Sequence, residues 1–153
     1  MNHADAVLFG AKNYNSETKE YQDANWYLRT DLLPEKQPFS YKDCAENFYL
    51  ITTPNPWTKM FRRKFVKENR LKFQAIHNSN DLFFIFTALL MAKRIVTVDK
   101  TLVFYRVGLN SNLQTTKYRE PLSFYDAYKA WHDKLVELDV LDEVRYGYVN
   151  MIV

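Results

Sequence analysis

With 153 residues, of which 47% are hydrophobic and 25% charged, the chain suits one globular domain with a sizeable core and not a disordered segment. Three glycines leave no Gly-rich phosphate loop, and a single cysteine, Cys44, leaves no intramolecular disulfide, which fits a reducing compartment. The formal charge of +3 is local: residues 57–72 hold seven Lys and Arg against Glu68, a net of +6, so the remainder sums to −3 and the pattern suits one anionic group or surface rather than a basic face for nucleic acid.

Ala4 to Ala11 (ADAVLFGA) is a short apolar run that predicts a buried strand. A strand so near the first residue raises the expectation that further strands precede it in a complete fold. Residues 12–43 are polar and turn-rich, with Asn13, Asn15, Pro34 and Pro38, and predict a long irregular excursion of the kind that carries function. Pro54 and Pro56 lead to Trp57, after which Met60, Phe61, Phe65 and Val66 recur at helical spacing, closing near Asn69 and Arg70. On that helix Lys59, Arg63 and Lys67 follow a four-residue step and would form a basic stripe.

Ser79 or Asn80 is the expected N-cap of a second helix, Asp81 to Lys93, apolar around most of its circumference and therefore buried. Ile95 to Val98 and Leu102 to Val107 predict two strands joined by an Asp99-Lys100 turn, followed by a polar loop over 108–120. Beyond Pro121, Phe124, Tyr128, Trp131, Leu135 and Leu138 define an amphipathic helix whose aromatic face meets the core or another subunit, and residues 139–153 form a shorter one. Residues 1–120 are thus expected as one unit, with 121–153 a helical extension packed on it. The longest apolar run, Leu82 to Ala92, is too short to span a bilayer, and no basic-then-hydrophobic leader opens the chain. A cytoplasmic protein is expected, with peripheral membrane contact open to it.

The series DAVLFGA, PWTKMFRRKFV and NDLFFIFTALLMAKRIVTVDKTLVFYRVG resembles, over roughly residues 4–112, the second half of a family 2 glycosyltransferase catalytic domain. The resemblance rests on the order and spacing of the Trp-x-Lys-x-Phe segment, the acidic helix start, the AK-x-I strand and the Tyr-Arg strand. It implies an α/β, Rossmann-like fold of the GT-A type. It also implies inverting transfer of a sugar from a nucleotide-sugar donor to a glycan acceptor hydroxyl, with Mg²⁺ or Mn²⁺ in an intact member. By position Asp81 matches the general base on the acceptor, while Asn80 stands where the family has a glutamate. The family's metal-binding Asp-x-Asp occurs nowhere in this chain, nor does an upstream βαβ unit to hold base and ribose. The resemblance is therefore to the acceptor-side half, expected to be inactive alone and to pair with a missing first half or with a copy of itself.

Each candidate has a plainer alternative. Asp81 at a helix start either serves as the base or simply favours that helix end. Trp57 is a wall for a sugar ring or a core plug. Lys59 and Arg63 meet a diphosphate or an anionic acceptor, or form a solvated helix face. Tyr105 and Arg106 end a strand, where α/β folds present their sites. His77 stands alone, and with His3 and His132 offers no metal-like spacing. A rival from another class is a non-enzymatic module that applies the 57–72 segment to an anionic membrane surface or nucleic acid.

Overall fold

The computed structural model describes residues 3–108 and 121–152. A central strand, β1 (Ala6–Asn15), is flanked on one edge by two short antiparallel strands, β2 (Tyr21–Asp23) and β3 (Lys59–Phe61). On its other edge lies β4 (Ile95–Val107), which runs parallel to it along its whole length. Three α-helices of two or more turns, α2 (Asn80–Met91), α3 (Pro121–Glu137) and α4 (Leu141–Ile152), and a short α1 (Arg63–Glu68) complete the fold. The result is a mixed sheet with helices, the α/β class expected from the sequence.

Strand β1 begins where Asp5 is buried and tied down. Its carboxylate accepts the guanidinium of Arg62 and the backbone N–H groups of Lys93 and Arg94, the latter two at 3.0 and 3.1 Å. One carboxylate therefore fixes the entries to β1, α1 and β4. Ala6 and Leu8 face inward, beside Ile95 of β4 and against the apolar residues of α2. Helix α2 is apolar on nearly every side because it runs through the core: Leu82, Phe84, Ile85, Phe86, Ala88, Leu89 and Leu90 are all buried. Across it, fully buried Trp131 of α3 meets Phe86 and, edge-on at 4.6 Å, Tyr49. The aromatic stripe of α3 is thus core contact at Tyr128, Trp131 and Leu135, while Phe124 is exposed.

Several elements differ from the sequence pattern. Between 57 and 70 there is no continuous helix: Pro56–Thr58 is a 3₁₀ turn, Lys59–Phe61 is β3, and only Arg63–Glu68 is helical. The reason is tertiary, because Leu8, Val7 and Ala6 of β1 take Lys59, Met60 and Phe61 as ladder partners, and that pairing overrides the four-residue apolar spacing. The stripe of Lys59, Arg63 and Lys67 consequently does not form. The two strands expected over 95–107 are one. Its register against β1 slips on either side of Gly10, so Asp99, Lys100 and Leu102 are accommodated as bulged residues rather than as a turn. A Cβ on Gly10 would stand 3.3 Å from the carbonyl oxygen of Lys100, so the slip places β4 backbone tightly against a residue with no side chain. The excursion from residue 12 is irregular as expected, apart from the end of β1, β2 and several 3₁₀ turns. The loop expected over 108–120 lies, from residue 109, outside the described residues.

Candidate functional site

The loop from Thr53 to Thr58 carries Trp57 and ends at Lys59, the first residue of β3. Opposite Leu8 in the ladder, the Lys59 side chain points inward and is buried. A buried ammonium needs acceptors for three protons. The loop supplies them: Nζ donates to the carbonyls of Thr53 (2.8 Å) and Asn55 (2.9 Å) and to the Thr58 hydroxyl (3.0 Å). Asn55 also donates from its side-chain nitrogen to the Thr58 hydroxyl at 2.9 Å, closing the ring of contacts. Every one of these acceptors is neutral. Burial pushes the Lys59 ammonium down from its ordinary value to about 7, and the charge that opposes the shift is the carboxylate of Asp81.

Asp81 is half-buried in the first turn of α2, where free backbone N–H groups and the helix dipole favour a negative charge. Ser79 occupies the N-cap position in a left-handed conformation (φ 58°) and makes no capping bond; its hydroxyl turns to the side-chain oxygen of buried Asn78 at 3.2 Å. The acidic charge of this helix start is therefore supplied by Asp81 itself. Lys59 and Asp81 are 22 positions apart in sequence, and β3 meets α2 through the edge-on pair Phe61 and Phe84, ring centres 5.7 Å apart, so that the Asp81 charge acts on Lys59 without an ion pair between them.

Trp57 is half-buried and stacks on Tyr105 of β4, ring centres 4.9 Å apart and planes within 1°. Tyr27 meets it edge-on at 4.7 Å, and the Tyr27 hydroxyl donates to Asn13 at 3.3 Å. Of the residues singled out in the sequence, the structure thus stacks Trp57 on Tyr105, and the Asp81 charge acts on Lys59 without an ion pair between them. Arg63 and Asn80 are exposed at the first positions of α1 and α2. Arg106, adjacent to Tyr105 on a strand, is exposed and faces the other side of the sheet from the Trp57 stack. The Lys59 protons are spent inside the loop, so its ammonium is not presented to a ligand. Tyr27 and the acceptors Thr53, Asn55 and Thr58 are not singled out by the sequence; Asn55 between two prolines is a turn signal that marks a segment with carbonyls to share.

Among the described residues no three His, Cys, Asp or Glu side chains converge to hold a metal ion, and no helix is long and apolar enough to cross a membrane. The parallel β1–β4 pair, the antiparallel flanking strands and the buried helix α2 match a glycosyltransferase fold and are consistent with part of a GT-A domain. No family model and no curated protein matches the chain. Solved structures do. S. aureus TarS residues 1–349 superposes with a TM-score of 0.64 at 18% identity, over 97% of this chain and 38% of that one. The same protein in complex with UDP gives 0.62 over 95% and 38%, and a further TarS structure gives 0.59 at 19% identity over 88% and 20%. TarS is a family 2 glycosyltransferase, and this chain shares its fold over well under half of its length.

Proposed function

We propose that this chain is the acceptor-side part of an inverting glycosyltransferase of the family 2 type, working in polysaccharide or glycan assembly in the cytoplasm. The observation that carries the reading is the carboxylate of Asp81 at the start of α2, whose charge acts on Lys59, the buried residue that follows the Trp57 loop. Asp81 takes the proton from the acceptor hydroxyl as its oxygen attacks the anomeric carbon, and the bond from that carbon to the nucleotide diphosphate breaks on the opposite face. Trp57, braced by Tyr105, forms the apolar wall against which a sugar ring packs. Arg63 and Asn80, exposed at the starts of α1 and α2, supply polar contacts to substrate, Arg63 with bidentate reach to a phosphate. Arg106 faces away and is left out of the site. A nucleotide-sugar is the proposed donor, supported by the UDP complex of TarS.

The divalent metal and the nucleotide have no ligand set here that fits them: the sequence holds no Asp-x-Asp, and no cluster of metal-binding side chains forms among the described residues. Both are assigned to a complementary half. The test is reconstitution. The chain alone releases no nucleotide from UDP-, GDP- or CDP-sugars with Mg²⁺ or Mn²⁺ present. Joined to a nucleotide-binding half carrying Asp-x-Asp, it transfers, and Asp81→Asn lowers the rate by ~10²–10⁴-fold. Metal-dependent turnover by the isolated chain, or an Asp81→Asn variant as fast as its parent, overturns the proposal.

A further inference from the structure

Among the described residues Lys59 is the strongly buried cation that the proposed chemistry does not use, and its surroundings are unusual. All three of its close acceptors belong to the loop 53–58, and all are neutral. An ordinary buried lysine is matched by a carboxylate at contact distance; this one has its protons satisfied by a loop and its charge answered from another element. We propose that Lys59 is a positioning residue, whose ammonium fastens the Trp57 loop and holds it in register with the Asp81 carboxylate at the start of α2. The catalytic meaning of that register rests on the reading of Asp81 and Trp57 given above, whereas the fastening itself does not.

Three features support the assignment. The loop has two prolines, Pro54 and Pro56, and among its residues Thr53, Asn55 and Thr58 direct polar atoms inward to one nitrogen rather than outward to solvent. Trp57 lies between two of those contacts in sequence, so its ring follows the loop's position onto Tyr105. Third, a neutral amine would donate two hydrogen bonds where the ammonium donates three, so the loop loses one contact and Asp81 loses its facing charge when the proton leaves. Among the described residues the charge acting on Lys59 is that of Asp81 in α2; the loop offers neutral acceptors and β1 offers the apolar Leu8. Burial brings the loss of that proton down to about 7, where it can be followed under native conditions.

The experiment is an NMR titration of the whole chain from pH 5 to 9, following Lys59 through its ¹³Cε resonance and Trp57 through its indole N–H, the latter assigned with Trp57→Phe. Lys59 is expected to titrate near 7, far below the surface lysines, and the Trp57 indole is expected to move with the same midpoint while Trp26 and Trp131 stay still. Asp81→Asn removes the opposing charge and should lower the Lys59 midpoint by about one unit. Lys59→Met should abolish the pH response of Trp57; if that variant does not fold, Asp81→Asn alone decides. A Lys59 resonance that titrates with the surface lysines, a Trp57 indole indifferent to Lys59 protonation, or a midpoint unmoved by Asp81→Asn overturns the proposal. None of these readouts requires sugar transfer, so the fastening can stand where the transferase reading fails, and fall where it holds.

Discussion

At the scale of single residues, Lys59 contributes a pH dependence of stability near neutrality. In the unfolded chain this amine keeps its proton up to the ordinary value of 10.5, and in the folded chain only up to about 7. Between those values the unfolded state binds more protons, so raising the pH favours the fold, by up to ~1.4 kcal/mol per pH unit from this one group. Below 7 both states carry the proton and the contribution is flat. Cys44 acts in the opposite sense: burial pushes its thiol up from 9.0 to about 12, so its contribution is lost as pH climbs past the unfolded value. The clean window is therefore 7 to 9. Urea unfolding across that window should show stability rising in the wild type and a slope shallower by about that amount in Lys59→Met; equal slopes would mean that Lys59 is protonated throughout. The sequence puts Lys59 on a basic helical stripe, to meet an anionic ligand or to be solvated, because its neighbours at four-residue steps are basic. Its inward direction is decided by Leu8 across the ladder, some fifty positions away, and no local pattern carries that information.

At the scale of elements, the sheet is governed by how β4 is fitted to β1. Phe39 bridges to Ile95, and the side chain of Gln37 bonds Thr97, so the last part of the excursion covers the outer edge of β4 at its start. Further along, β4 absorbs Asp99, Lys100 and Leu102 without breaking, because Gly10 lets the Lys100 carbonyl come close. Gly10→Val sets a branched Cβ about 3.3 Å from that oxygen, with its methyls crowding the strand further, and should cost ~1–3 kcal/mol, read as a lowered urea midpoint; a variant as stable as the parent would show that the approach is looser than 3.3 Å. The strands and helices with strong apolar runs, β1, α2 and α3, were legible because burial of a run leaves a one-dimensional trace. The segment 57–70 was not, since its apolar spacing suits a helix equally well and the free edge of β1 decided the outcome. The Asp99-Lys100 pair carries the composition of a turn, but a bulge needs the same residue types, and only the partner strand distinguishes them. For the site, Asp81 and Trp57 could be singled out in the sequence, while Tyr27 and the acceptors of the 53–58 loop become visible only once the sheet brings them together.

At the scale of the whole molecule, the basic segment that dominates the charge pattern is smaller in the fold than in the sequence. Lys59 is buried, Arg62 is held by Asp5, and Lys64 pairs with Glu68 at 3.7 Å, which leaves Arg63, Lys67, Arg70 and Lys72 as its exposed cations outside those pairs. A reading of the segment as a nucleic-acid-binding face would draw on all seven basic residues; the fold offers about four. Counterion release translates that difference into a measurable slope, because each phosphate neutralised on duplex DNA contributes roughly −0.9 to the dependence of log K on log salt. Titration of duplex DNA at several salt concentrations should therefore show either no binding or a slope no steeper than about −4. A slope beyond about −5 would require Arg62 and Lys64 to leave their partners and join the contact, and would make the segment a nucleic-acid face in its own right. A shallow slope, together with Asp81-dependent transfer in the reconstituted enzyme, would leave these cations the local task of meeting one anionic group at the edge of the acceptor site.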